Sequence, residues 1–203
     1  PAGQGCRYRE LNTQGKGIQV KESTGANGQQ VIKATASKLS PIIKEPFGPD
    51  FTELFPRVYF APSAFKYDKS EGDMSNWQKY GEWQYRLLDG RDLLTEPFRA
   101  KLHELTAHCT TDRDKVKAIY DYLAKTTRYV SIQLGIGGLQ PIAAADVCRT
   151  GFGDCKGLSN YTRAMLKELG IASTYTVIST TNERLLPDFS SANQMNHVIL
   201  QVP

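Results

Sequence analysis

The sequence is poor in the residues and patterns that several large function classes need, and each shortage excludes something. Its 203 residues hold four cysteines (Cys6, Cys109, Cys148, Cys155) without a C-x-x-C spacing and three histidines without H-E-x-x-H. A metal centre is therefore not expected, and no cofactor is implied. Gly135, Gly137 and Gly138 form a glycine run, but no G-x-x-x-x-G-K-[ST] follows, so it does not read as a phosphate loop. No apolar run is long enough to span a membrane, and no charged-then-apolar leader opens the chain. The start at Pro1-Ala2-Gly3 reads as a processed or truncated end. The formal charge of +4 is small, and Arg7, Arg9, Lys16 and Lys21 read as a solvated strand face, so no nucleic-acid partner is expected. If Cys155 stays free, at most one disulfide can form among the other three cysteines. That content neither requires nor excludes an oxidising compartment.

What is present is an ordinary globular composition, 40% hydrophobic and 23% charged, enough for one domain and part of another. Residues 5 to about 62 read as strands: Ile18–Lys21, Gln30–Thr35 and Val58–Ala61, separated by turn residues and by the Pro41, Pro46, Pro49 stretch. They suit the last strands of a β-sandwich. A connector follows with one helix, capped by Ser75 and carrying Trp77, Tyr80 and Trp83. Helices then dominate. Pro97 fits a first turn, and Thr111 with Asp114 resembles a capping box ahead of Val116, Ile119, Tyr120 and Leu123. A short helix is expected around Ile142 to Val147, strands over 173–180 and 197–202, and a loop over 181–195. The expected organisation is 1–65 as the end of a β-rich domain, 66–95 as connector and 96–203 as a second domain.

Within that second part, Gly151-Phe152-Gly153-Asp154-Cys155-Lys156 is followed by Leu158, Thr162, Met165, Leu166 and Leu169. The pattern puts Cys155 in the first turn of an amphipathic helix capped by Asp154 and closed at Gly170. Unsatisfied N–H groups at a helix start favour thiolate over thiol, which is how a cysteine becomes a nucleophile. Cys148 reads as core, and Cys6 and Cys109 carry no motif. At Asn196-His197-Val198-Ile199-Leu200-Gln201-Val202 a histidine opens a short strand that reads as buried on both faces. His103 and His108 sit on a polar helix and are expected to be exposed. The glycine-rich segment lets backbone pass near the thiol and could present Gln133 or Gln140 to a developing oxyanion. Gln133, on the extended side of the turn, is the candidate. A nucleophile helix packed on a sheet that carries the base makes the fold class α+β.

The residues Arg128-Tyr129-Val130-Ser131-Ile132, Gly135 to Pro141, Gly153-Asp154-Cys155-Lys156, Leu166 to Ile171 and Asn196-His197-Val198-Ile199 resemble the transglutaminase-like superfamily of cysteine enzymes, in its bacterial, Bacteroides-type branch. The resemblance covers roughly 95 to 203 well and the N-terminal part loosely. It implies a papain-like core preceded by the remnant of a β-sandwich domain, with Cys155 as nucleophile and His197 as general base and acid. The third member, an acidic residue on the strand after the histidine, has no match among the six residues after His197, so the chain either lacks it or, the favoured expectation, is a fragment whose next strand is missing. The implied activity is cysteine-dependent acyl transfer on amide bonds, most simply hydrolysis of a peptide or isopeptide bond, acting on a peptide or protein substrate in the periplasm or at the cell surface. The alternative is a noncatalytic module that keeps the fold and holds a peptide or glycan.

Overall fold

A computed structural model describes residues 5–43, 45–49, 51–181 and 184–203, with Phe51 and Thr52 described by their backbone alone. Pro1 to Gly3, read above as a processed or truncated end, lie outside the described residues. The chain separates into two compact units, Pro1–Gly81 with Thr181–Gln194 and Glu82–Thr180 with Met195–Pro203.

The first unit is built from antiparallel two-stranded ladders. β1 (Cys6–Leu11) pairs with a strand about fifty residues on, β4 (Arg57–Pro62), with Cys6 opposite Pro62 and Leu11 opposite Arg57. Between them β2 (Ile18–Thr24) and β3 (Gln30–Ala36) form a hairpin in the register Ile18 to Ala36, and one helical turn, α1 (Phe51–Leu54), leads into β4. A tight hairpin, β5 (Ala64–Tyr67) with β6 (Ser70–Asp73), turns at Asp68, whose φ is +54°. Segment 181–194 returns to this unit far along the chain. The Arg7 guanidinium donates to the Ser190 carbonyl at 2.8 Å and lies over the Phe189 ring, while Arg9 pairs with Asp188 at 3.0 Å. The Trp77 indole N–H donates to the Leu186 carbonyl at 2.8 Å. Arg7 is thus no member of a solvated face: its planar, multi-donor head is what a returning loop with open carbonyls needs.

The second unit is a helical layer on small sheets. α2 (Trp77–Arg86) carries the chain into it, and α3 (Glu96–Thr106) begins with Pro97 in its first turn, where a missing N–H costs nothing. α4 (Asp112–Thr126) is capped by Thr111, whose hydroxyl accepts from the Asp114 amide at 3.1 Å and donates to the Asp114 carboxylate at 2.7 Å. β7 (Arg128–Tyr129) and a 3-10 turn at Gly135–Gly138 follow. α5 (Ala144–Thr150) starts and ends later than the sequence suggests, because its stop is Gly151 in the left-handed region at φ +68°. Then come β8 (Phe152–Gly153), α6 (Cys155–Glu168), Gly170 at φ +73°, β9 (Thr174–Ile178) and β10 (His197–Gln201).

The core of this unit gathers Phe98 and Leu102 of α3, Ile119 of α4, Val147 of α5, and Tyr161, Met165 and Leu166 of α6. Each such side chain contributes about 1.5–3 kcal/mol on burial, which fixes α6 as the central helix. The Phe98 ring sits between Tyr122 and Tyr161, at 5.8 and 5.5 Å between centroids. Buried Asn160 of α6 donates to the Arg91 carbonyl at 2.7 Å, which also receives the Ala144 amide at 2.8 Å, so one carbonyl ties α6 and α5 to the segment after α2. Among the described residues no helix is long and apolar enough to cross a membrane.

Candidate active site

The approach to Cys155 is fixed by a short parallel ladder. Arg128 donates to the Gly151 carbonyl at 2.9 Å and Val130 to the Gly153 carbonyl at 3.0 Å, so β7 and β8 run side by side with Tyr129 opposite Gly153. The ladder delivers the chain to Asp154, whose backbone is extended (φ −86°, ψ −173°) and whose Oδ1 accepts the Gly157 amide at 2.9 Å. Helix α6 therefore starts at Cys155, as the sequence pattern indicates, and its first turn is capped by Asp154.

The surroundings of the thiol are closed and polar. Cys155 is 9% exposed, and all four cysteines are free thiols. Asp154 is 1% exposed, and its second oxygen pairs with the Lys156 ammonium, which is itself 4% exposed. Two phenols face this group. Burial first, and then the Cys155 thiol and Asp154, push the Tyr129 phenol up, although the residue as a whole is 56% exposed. Tyr175, on β9, is pushed up by burial and then by Cys155 and Asp154. Its hydroxyl is buried and has no hydrogen-bond partner among the described residues.

His197 opens β10, which pairs antiparallel with β9 so that His197 lies opposite Ile178 and Leu200 opposite Tyr175. Helix α6 packs on β10, with Leu200 and Val202 turned into the core, so the helix that Cys155 opens and the strand that His197 opens are neighbours. Asn196 closes the preceding loop by accepting from the Thr180 amide and hydroxyl at 2.9 and 3.1 Å. The strand is not buried on both faces: Val198 is buried while Ile199 is 41% exposed, because α6 covers one face of the β9–β10 ladder. Strand alternation gives His197 the same face as Ile199. Among the described residues no hydrogen bond joins His197 to Cys155, and none engages a carboxylate with His197.

Of the two glutamines, Gln140 accepts from Arg91 at 2.8 Å and is held, whereas Gln133 is exposed just before the 3-10 turn. His103 is exposed and faces Glu168 at 3.4 Å, and Cys148 packs against the core. Tyr129, Tyr175 and Lys156 are the site neighbours that sequence reasoning missed. Lysine is almost never buried unless paired, so only the Asp two positions earlier hinted at its fate. Among the described residues no cluster of three metal-ligating side chains occurs.

Residues 99–203 match the model of the transglutaminase-like superfamily, a span that includes both Cys155 and His197. The chain belongs to that superfamily. A crystal structure of a putative protease from Parabacteroides distasonis superposes with a TM-score of 0.67 at 15% identity, over 100% of this chain and 36% of that one. At that identity the likeness shows a shared fold. The chain spans about a third of that neighbour's length, and no curated protein matches it.

Proposed function

We propose that this transglutaminase-like chain performs cysteine-dependent acyl transfer on amide bonds, and that the reaction is hydrolysis of a peptide or isopeptide bond in a protein substrate outside the cytoplasm. His197 takes the proton from Cys155 Sγ, and the thiolate adds to the amide carbonyl carbon. The C–N bond then breaks, and His197 returns the proton to the departing amine. Water cleaves the resulting thioester, giving a carboxylic acid and the regenerated thiol. The Cys155 amide and the Gln133 side chain are the candidate donors to the oxyanion.

The observation that carries this reading is the placement of Cys155 as first residue of a capped helix packed on the strand that His197 opens. The test is incubation of the protein with a peptide mixture and mass spectrometry of the products, beside Cys155→Ala. Cleaved amides from the wild type alone support hydrolysis. Products joined to an added primary amine would instead assign transglutamination. His197 shares the face of β10 that carries exposed Ile199 and not the face covered by α6, which favours a second reading, a noncatalytic module holding a peptide or glycan. Under that reading both proteins retain the ligand and neither yields products.

A further inference from the structure

We propose that Lys156 is a positioning residue whose buried ammonium cancels the Asp154 carboxylate beside Cys155 and thereby keeps the thiol reactive at neutral pH. The proposal rests on Cys155 being the nucleophile and adds to it a residue that neither the family match nor the structural neighbour marks.

Lys156 is out of place by two general rules. It is the second residue of α6, where the positive end of the helix dipole disfavours a cation, and long cationic side chains nearly always reach water. Here the ammonium is buried against Asp154. Capping alone does not explain the arrangement. The cap uses only Oδ1 of Asp154, on the Gly157 amide, and a neutral Asn, Ser or Thr caps a helix as well. What the carboxylate adds is a buried negative charge one residue from the sulfur, and a like charge disfavours ionisation of the thiol. Cys155 and Asp154 are both buried, and both help to push up the phenols of Tyr129 and Tyr175, so thiol and carboxylate lie in one poorly solvated neighbourhood. Lys156 offsets that charge where it arises.

The other groups around α6 do not supply the cancellation. β7 and β9 bring the phenols of Tyr129 and Tyr175, and β10 brings His197. Ile142, just ahead of α5, and Val147 of α5 stand beside Gly157. The charges of α5, Asp146 and Arg149, pair with each other on the exposed side at 3.0 Å. From α4 the core receives Val116, Ile119 and Leu123.

The test is the pH dependence of iodoacetamide alkylation, read by mass on the peptide that carries Cys155, for wild type, K156M, K156R, D154N and the D154N/K156M double variant. K156M is expected to raise the half-reaction pH by about one unit and so to slow alkylation at neutral pH, with K156R restoring most of the rate. D154N is expected to move it the other way, and the double variant to return close to wild type. A lysine that merely braces the helix would leave the double variant as impaired as K156M. That result, or midpoints that agree within about 0.3 unit across all variants, overturns the proposal. Should K156M fail to fold, as circular dichroism would show, D154N decides: a downward shift supports the proposal and no shift overturns it. The nucleophile reading fails separately, if wild-type Cys155 reacts only at or above the ~8.5 of free cysteine.

Discussion

The amide of Val130 donates to the carbonyl of Gly153 at 3.0 Å, fastening strand β7 to the chain two residues ahead of Cys155. A side chain at Gly153 would meet Leu158 of α6, with a Cβ at 3.3 Å from its Cδ2 and 3.4 Å from its amide nitrogen. The backbone nitrogen cannot give way as a flexible side chain could. Gly153→Ala is therefore expected to cost about 1–3 kcal/mol and to displace the start of α6. Thermal denaturation measures the loss, and an unchanged melting temperature would mean that the close approach is not needed.

Gly157 poses the opposite case. It lies in the first turns of α6, yet a Cβ there would sit at 3.5 Å from Ile142 Cβ and 3.6 Å from both Asp154 Oδ1 and Val147 Cγ2, all ordinary contacts. Nothing requires glycine at that position for packing. Gly157→Ala should stabilise the fold by about 0.5–1 kcal/mol through the lower backbone entropy of the unfolded chain. A lower melting temperature would show that the start of α6 needs room the structure does not reveal.

Asp92 carries the clearest pH signature in the second unit. Burial pushes its carboxyl up, but the hydrogen bond and charge of Lys167 and the charge of Arg163 prevail, leaving it below the ordinary carboxylate value. The distances are 2.8 Å to Lys167 and 3.4 Å to Arg163. A carboxyl depressed in the folded state lends stability above its unfolded value of about 4, and that stability is lost as pH falls through the folded value. Asp92→Asn should thus cost about 1–2 kcal/mol at pH 7, discounted for the exposure of Lys167, and the gap to wild type should close below about pH 4. Melting curves of the two proteins from pH 7 downward check it, and a gap that does not narrow as pH falls below about 4 would contradict it.

Helix α6 was legible because its signals are local. A capping Asp154, the apolar spacing of Leu158, Met165 and Leu166, and Gly170 as terminator all act within one or two turns, and the structure has each in its expected role. Thr111 and Pro97 were readable for the same reason. What sequence could not supply were relationships across long separations. Arg7 reaching Ser190, and Tyr175 coming beside Cys155 from β9, depend on how distant segments meet, and no local pattern encodes that. The double burial expected for β10 failed for a related reason. An apolar run records hydrophobicity, while Ile199 is exposed because α6 covers a single face.

The pairing of Cys155 with His197 is the claim on which the functional account rests. The direct measurement is the rate of iodoacetamide alkylation of Cys155 at pH 7, in wild type and in His197→Ala. The account predicts a wild-type rate well above that of a free cysteine and a fall of about tenfold or more without the imidazole. A wild-type rate no faster than that of free cysteine, and equal in the two proteins, would contradict it.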